Sequence, residues 1–260
     1  MIGVFDSGVG GLTVVKEILK VLPQYQIIYF GDTARLPYGT KGADFVKKYS
    51  AEIFAWLLNQ GAKLVVIACH TSSAWAAEFL KNKFKGIPIF EVISPAVKEV
   101  SGKNIGIIGT PGTIRSGSWE KKLLELNPEL KIYSKACPLF VPLVEEGWVN
   151  KKVTKEIVQE YLEPLLEKKI DTLILACTHY PMLEKAISEI IGPQIKIINP
   201  AESLAKELKL FLKDNPVFSR LQRDSAGKHQ FFFSDEPYNL EKISHLCLNQ
   251  KIKPIIKDPF

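Results

Sequence analysis

Two stretches of sequence decide the fold: residues 63–71, Lys-Leu-Val-Val-Ile-Ala-Cys-His-Thr, and residues 171–179, Asp-Thr-Leu-Ile-Leu-Ala-Cys-Thr-His. Each is a short apolar run that ends in Ala-Cys and then in polar side chains, and such a run is typical of a buried parallel strand. Cys177 follows Cys69 by 108 residues. A repeat of this length predicts two similar α/β units, because the periods of solenoid repeats are much shorter.

Outward from these strands, short apolar runs alternate with helical patterns. Strands are predicted at residues 1–5, 26–30, 64–68 and 87–90, and helices at residues 12–22, 45–58 and 73–84. The pattern restarts at residues 104–109, whose Asn-Ile-Gly-Ile-Ile-Gly is similar to the Ile-Gly-Val-Phe of residues 2–5. This alternation is typical of parallel sheets covered by helices.

The end of the chain has a different character. Residues 211–227 are mixed and polar, and they predict an irregular connection. Residues 230–233, 239–248 and 251–257 predict a strand, a helix and a last strand. We expect this tail to pack back on the first unit.

The predicted fold class is therefore α/β, with two similar parallel-sheet domains related by pseudo-symmetry. Residues 1–95 together with residues 207–260 would form the first domain, and residues 96–206 the second. Because ligands bind beyond the carboxyl ends of parallel strands, the active site is expected in the cleft between the two domains.

Composition narrows the class of protein. With 260 residues, 46% hydrophobic and 24% charged, the chain is typical of a globular protein, and four cysteines are too few for a disulfide-framed secreted domain. The N-terminus has no signal-peptide pattern, so we expect a soluble, cytoplasmic protein with no membrane partner. The formal net charge is +6, but lysines are interspersed with glutamates, so no nucleic-acid partner is predicted.

Polar side chains follow the predicted strand ends: Asp6-Ser7, Cys69-His70-Thr71, Thr110 and Cys177-Thr178-His179. Two facing units would place Cys69 and Cys177 on opposite walls of one cleft. Racemisation needs a base on each face of the substrate, and a thiol can alternate between acid and base. An isolated cysteine is more often a small buried hydrophobe, which is the interpretation for Cys137 and Cys247.

Two alternatives are weaker. Gly8-Val-Gly-Gly11 follows a strand, as a dinucleotide-binding turn would, but Thr13 takes the third glycine position and Asp6 would place a carboxylate beside the pyrophosphate. Cys69, His70, Cys177 and His179 could be interpreted as a zinc set, yet their spacings differ from those of structural zinc sites. We therefore predict no metal and no cofactor.

Five motifs in series resemble the glutamate racemases of the cofactor-independent aspartate/glutamate racemase superfamily. They are Asp6-Ser-Gly-Val-Gly-Gly-Leu-Thr13, Gly31-Asp-Thr-Ala-Arg-Leu-Pro-Tyr-Gly39, Ala68-Cys-His-Thr71, Ala136-Cys-Pro-Leu-Phe-Val-Pro-Leu-Val-Glu145 and Ala176-Cys-Thr-His-Tyr-Pro181. The motifs span most of the chain, and the second and fifth are similar to the glutamate branch rather than to the aspartate or hydantoin racemases.

The resemblance implies roles for individual residues. Cys69 and Cys177 match the two acid/base thiols, and Asp6 and His179 match polar residues that assist them. Glu145 matches another supporting residue, with a surface position beside Glu146 as the alternative. The positions that match substrate-binding residues, in addition to Asp6 and His179, are Ser7, Tyr38, Gly39, Thr71 and Thr178. His70 is a further substrate-binding candidate, although it does not match the family residue.

His70 departs from the family pattern, which resembles Ala-Cys-Asn-Thr. An asparagine amide donates hydrogen bonds at any physiological pH, whereas an imidazole is bulkier and changes charge near neutrality. His70 could donate to the substrate, perturb the pKa of Cys69, or indicate a shifted substrate.

The predicted function is that of an isomerase, which interconverts L- and D-glutamate and supplies D-glutamate for peptidoglycan synthesis, cell-wall biogenesis and cell shape. The alternatives are a racemase of another acidic amino acid, such as aspartate, and a non-catalytic ligand-binding protein on this scaffold. The predicted partner is the small-molecule substrate glutamate; a homodimer stays open.

Overall fold

A computed structural model of the chain describes residues 1–219 and 228–260. In this part of the chain the strands are β1 (Ile2–Asp6), β2 (Ile27–Gly31), β3 (Leu64–Ile67), β4 (Ile89–Glu91), β5 (Asn104–Gly109), β6 (Lys131–Ala136), β7 (Thr172–Ala176), β8 (Lys196–Ile198), β9 (Gln230–Phe233) and β10 (Pro254–Ile256). They form two sheets in which all the strand pairs are parallel. The predicted α/β class with two parallel-sheet units is confirmed.

Helices cover both sheets. In the described residues they are α1 (Leu12–Val21), α2 (Ala43–Asn59), α3 (His70–Lys83), α4 (Ile93–Val97), α5 (Pro111–Arg115), α6 (Ser118–Leu126), α7 (Phe140–Glu145), α8 (Lys152–Leu166), α9 (Glu184–Ile191), α10 (Pro200–Asp214), α11 (Pro216–Ser219) and α12 (Leu240–Leu248). Short 3₁₀ turns lie at Thr33–Arg35, Tyr38–Thr40 and Tyr180–Leu183. Within the described residues, no helix combines the length and the apolar character that a membrane span requires.

The two sheets repeat one strand order. The first sheet runs β10-β9-β2-β1-β3-β4, and the second runs β6-β5-β7-β8, so β1 corresponds to β5 and β3 to β7. In the first sheet Phe5 pairs with Ile67, and in the second Gly109 pairs with Ala176. These registers place corresponding strand ends, and therefore the residues that follow them, at one edge of each sheet.

The central strands are apolar because helices cover both of their faces. All the side chains of Leu64–Ile67 are fully buried, and burying such a side chain stabilises the fold by about 1.5–3 kcal/mol. Helix α1 shows the 3.6-residue period of a half-buried helix, with Val14, Val15 and Ile18 buried on one face. This face packs in a core cluster that also contains residues of α10.

The last part of the chain completes the first sheet. Strand β9 lies between β10 and β2, with Tyr29 opposite Phe231. The division into residues 1–95 plus 207–260 and residues 96–206 stays a proposal. Its two boundaries fall inside helices α4 and α10, which pack against each other.

Three predicted segments differ from the structure. The predicted last strand, at residues 251–257, is shorter and spans only Pro254–Ile256. Helix α3 begins at His70, three residues before its predicted start, because the sulfur of Cys69 accepts a hydrogen bond from the Ser72 amide at 3.5 Å and caps the helix. The irregular connection predicted at residues 211–227 is wrong for its first part, where α10 continues to Asp214 and α11 follows. Residues 220–227 of that prediction lie outside the described residues.

Candidate active site

A cavity of about 400 Å³ lies where the carboxyl ends of β1, β3, β5 and β7 converge. This volume is within the usual range of small-ligand sites. Residues from both sheets line it, and the predicted site residues among them are Ser7, Tyr38, Gly39, Cys69, His70, Thr71, Glu145, Cys177, Thr178 and His179. The structure therefore brings ten of the eleven predicted residues to one cavity, and the eleventh, Asp6, lies fully buried behind its wall.

Cys69 stands at the first turn of α3. Its sulfur accepts from the Ser72 amide and donates to the Ser7 hydroxyl at 3.6 Å. Burial, together with the nearby carboxylate of Asp6, raises the pKa of the Cys69 thiol to about 11, although the hydrogen bonds with Ser72 and Ser7 act in the opposite direction. In the resting protein this group is therefore a thiol.

Cys177 is the first member of a chain of polar contacts. Its sulfur lies 3.9 Å from Nδ1 of His179, and Nε2 of the same ring lies 3.1 Å from Oε1 of Glu145. Burial opposes a charged ring, but the hydrogen bonds to Cys177 and Glu145 outweigh it and raise the pKa of His179 to about 10. An imidazolium beside a cysteine is the kind of neighbour that stabilises a thiolate.

Asp6 supports the cavity from behind. Its Oδ2 accepts from the Gly8 amide at 2.9 Å, and its Oδ1 lies 3.5 Å from the Thr178 hydroxyl. Burial raises the pKa of the Asp6 carboxyl, and the nearby His179 partly offsets this effect. A side chain at Gly10 would place its Cβ 2.4 Å from the Thr178 hydroxyl oxygen, so only glycine allows this loop to approach the second unit so closely.

Three threonine hydroxyls join the two units across the cavity. Thr71 follows β3, whereas Thr110 and Thr113 follow β5. The three oxygens lie 3.0–3.1 Å from one another. Each hydroxyl carries one hydrogen, so a ligand carboxylate that accepts from one of them must open this triangle.

Tyr38 does not point its hydroxyl at the cavity. The phenol donates to Oδ2 of buried Asp32 at 2.6 Å, and Oδ1 of Asp32 accepts from Ser234 and Arg35, each at 2.8 Å. Burial and the Asp32 carboxylate hold the pKa of Tyr38 well above its usual value. Tyr38 therefore lines the cavity as a fixed, neutral ring, and neighbouring Gly39 fits because any Cβ there would lie 2.6 Å from Thr110.

His70 is buried, with 4% of its surface exposed, and stacks on Trp119 of the second unit with ring centroids 6.2 Å apart. Within the described residues, neither of its ring nitrogens has a hydrogen-bond partner. Burial lowers the pKa of His70 to about 3, so the ring is neutral at physiological pH. The charge change near neutrality that the sequence suggested for His70 is therefore not supported.

Part of the cavity wall was not predicted from the sequence. Leu36, Thr113, Pro138, Val141 and Pro142 also line the cavity. The last three belong to the motif around Cys137, so the signal was present, but their apolar character gave no chemical reason to select them. Within the described residues, no three His, Cys, Asp or Glu side chains are grouped to hold a metal ion.

The family model for Asp/Glu/Hydantoin racemase matches residues 2–208 of the chain. The chain belongs to this family, and it is therefore an isomerase of the racemase type. Among its curated relatives, the glutamate racemase of Geobacter metallireducens is 44% identical over 256 residues, covering 96% of this chain and 93% of the relative.

Solved structures agree with this assignment. Glutamate racemase from Francisella tularensis, in complex with D-glutamate, superposes with a TM-score of 0.90 at 36% identity, covering 98% of this chain and 96% of the other. A glutamate racemase isoform from Bacillus anthracis gives a TM-score of 0.91 at 37% identity, covering 100% of this chain and 97% of the other.

Proposed function

We propose that this chain interconverts L- and D-glutamate, with Cys69 and Cys177 as the two acid/base groups. One observation carries the proposal: the two thiols occupy corresponding strand ends of the repeated units and line the same cavity. The relatives that match nearly the whole chain are glutamate racemases, which supports glutamate as the substrate.

The reaction requires only proton transfers. The thiolate of one cysteine takes the α-proton and becomes a thiol, and the electron pair stays on the α-carbon as a carbanion. The opposite thiol then gives its proton to the other face of that carbon and becomes a thiolate. The cysteines exchange protonation states, so the enzyme is left ready for the reverse reaction.

The surroundings of Cys177 support this chemistry. Protonated His179 stabilises the Cys177 thiolate, and Glu145 keeps the ring charged and oriented. On the opposite wall, the amide at the start of α3 and the Ser7 hydroxyl contact the Cys69 sulfur. These contacts stabilise the thiolate that forms when Cys69 gives up its proton.

Substrate carboxylates would be held mainly by neutral donors. Of the described side chains that line the cavity, none is lysine or arginine. The hydroxyls of Ser7, Thr71 and Thr178 and the backbone amide of Gly39 are the donors we assign to the substrate, with Tyr38, His70 and His179 completing its contacts. Neutral donors can bind a carboxylate without competing for the α-proton.

The proposal also covers the biological role, the cellular location and the oligomeric state of the protein. The product would supply D-glutamate for peptidoglycan in the cytoplasm, and so contribute to cell-wall biogenesis and cell shape. A homodimer is one oligomeric state compatible with this proposal, and gel filtration with light scattering tests it.

The function is tested by incubating the purified protein with L-glutamate or D-glutamate in D2O, without added metal or cofactor. Circular dichroism follows inversion, and proton NMR follows the loss of the α-proton signal. We expect both enantiomers to converge on a racemic mixture with deuterium at the α-carbon. Parallel assays with L- and D-aspartate should give much lower kcat/KM.

Two results would contradict the proposal. A protein that binds glutamate but neither inverts nor exchanges it would be a ligand-binding protein on this scaffold. A protein that racemises aspartate faster than glutamate would keep the reaction type but have the other substrate.

A further inference from the structure

The end of helix α7 receives hydrogen bonds from a distant part of the chain. The last carbonyl groups of a helix have no partner within it. Here the side-chain amide of Asn239 donates to the carbonyl of Glu145 at 3.0 Å, and the amine of Lys242 donates to the carbonyl of Glu146 at 3.0 Å. Asn239 precedes α12 and Lys242 lies in it, between the two strands that complete the first sheet. The C-terminal end of α7, in the second unit, is therefore capped by side chains at the start of α12, in the first unit.

The backbone at Asn239 suits this task. Its φ is 55°, in the left-handed region that asparagine tolerates better than most residues. Asn249, at the other end of α12, has a φ of 51°. The two residues share residue type, helix and backbone conformation, and only Asn239 is hydrogen-bonded to Glu145.

Helix α12 also contacts the segment that follows His179. The buried sulfur of Cys247 lies 3.5 Å from the sulfur of Met182, in the turn Tyr180–Leu183. One helix therefore contacts both of the segments that carry the partners of Cys177. Cys247 packs as a core residue, as its sequence pattern predicted, and the core that it packs in lies between the two units.

We propose that Asn239 is a positioning residue for the Cys177 side of the active site. By fixing the backbone of Glu145, its side chain keeps the Glu145 carboxylate on His179 and the imidazole on the Cys177 sulfur. This inference rests on the proposed function, because it assigns Asn239 to the support of one of the two acid/base thiols.

The effect of Asn239 on His179 can be isolated because its own side chain is uncharged. The charged or titratable groups that act on the His179 ring are Cys177, Glu145 and Asp6. On α12, Lys242 donates to a backbone carbonyl and is not changed in the test. A shift in the titration of His179 on changing Asn239 therefore reports movement of Glu145.

The test compares Asn239→Gly with Asn249→Gly. Glycine keeps the left-handed backbone accessible and removes only the side chain. The chain has four histidines, so labelled imidazoles can be assigned and titrated by NMR. We expect the pKa of His179 to fall by about one unit in Asn239→Gly, since a partner that raises it becomes less well held. In Asn249→Gly it should stay at the wild-type value.

Kinetics give the second readout. We expect kcat/KM for glutamate to fall about tenfold in Asn239→Gly, mainly through kcat, because the substrate contacts remain. Substrate and product are mirror images of equal free energy, so kcat/KM must fall equally in both directions. In a Glu145→Gln background the same change should cost little more, because the group that Asn239 positions is already disabled.

The outcomes separate the two proposals. An unchanged titration of His179 in Asn239→Gly, or equal losses of kcat/KM with and without Glu145→Gln, would overturn the positioning role. A wild-type protein that fails to racemise glutamate would overturn the proposed function. The histidine titration would still test the positioning role in that case.

Discussion

The two strand ends that carry cysteine and histidine have opposite chemistry. At the first, His70 follows Cys69, has no hydrogen-bond partner among the described residues, and has its pKa lowered to about 3. At the second, His179 lies between Cys177 and Glu145 and has its pKa raised to about 10. Both rings are buried. Burial alone keeps a histidine neutral, and two acidic partners are enough to reverse that effect.

The two units therefore share the arrangement of their strands, but the side-chain contacts of the two cysteines differ. Corresponding strands place both thiols at one cavity, but only Cys177 has an imidazole and a carboxylate behind it. Cys69 relies on a helix amide and the Ser7 hydroxyl. This asymmetry predicts that the two halves of the site respond differently to substitution.

The largest effect is expected from removal of either thiol. Cys69→Ala and Cys177→Ala should each lower racemisation by about 10²–10⁴-fold, because one face of the α-carbon then lacks its proton carrier. Each variant should keep exchange of the α-proton for one enantiomer, since the remaining cysteine can remove and return a proton on its own face. The enantiomer that exchanges should be opposite in the two variants, as measured by NMR in D2O.

Cys137→Ala is the matched control for these variants, because Cys137 is also a buried thiol but does not line the cavity. It should retain racemisation. Full activity in either Cys69→Ala or Cys177→Ala would end the two-base assignment.

A smaller effect is expected from His179→Asn, which removes the imidazolium from Cys177. We expect kcat/KM to fall about 10²-fold. In the wild type, activity should also fall as the pH rises through about 10, because His179 then loses its proton. The variant should lack this limb and lose activity only nearer pH 11, where the Cys69 thiol ionises.

His245→Asn is the control for His179→Asn, since His245 is an exposed histidine on α12. Its pH profile should match that of the wild type. An alkaline limb that persists unchanged in His179→Asn would show that another group causes it.

The smallest effect concerns His70 and is seen in stability. The unfolded chain takes a proton on this histidine near its ordinary pKa of 6.5, whereas the folded chain does so only near 3. The unfolded state therefore binds more protons in this interval, and stability falls as the pH is lowered through it. Between about pH 7 and about pH 4.5, the urea concentration at the midpoint of unfolding should fall less in His70→Asn than in the wild type.

Asn249→Gly is the control for His70→Asn. It keeps His70, so its stability should fall on acidification as much as that of the wild type. If His70→Asn and the wild type lose the same stability on acidification, the buried ring is not the group that takes up the proton.

Much of this could be predicted from local sequence. The apolar runs that end at Cys69 and Cys177 predicted the two units, and residues 230–233 coincide with β9. The site residues followed from strand ends and motifs. Glu145 could not be separated from a surface glutamate, because its contact with His179 joins residues 34 positions apart.

The contacts that sequence could not show are long-range or depend on atoms rather than on residue type. The cap on α7 joins Glu145 to Asn239 over 94 positions. The early start of α3 depends on the sulfur of Cys69 acting as an acceptor, a role more typical of Ser, Thr, Asp or Asn. The neutral state of His70 follows from burial against Trp119, which is known only from the packing.

The place of β9 in the first sheet has a consequence for the order of synthesis. Until residues 230–233 leave the ribosome, β2 is an edge strand whose outer backbone groups are unpaired. The Ser234 hydroxyl that holds Asp32 arrives at the same time. The second sheet, whose strands span residues 104–198, emerges complete before the first. A nascent chain would therefore carry a finished second unit while the first still exposes an open edge, and a pause in translation there would favour pairing of that edge with another chain.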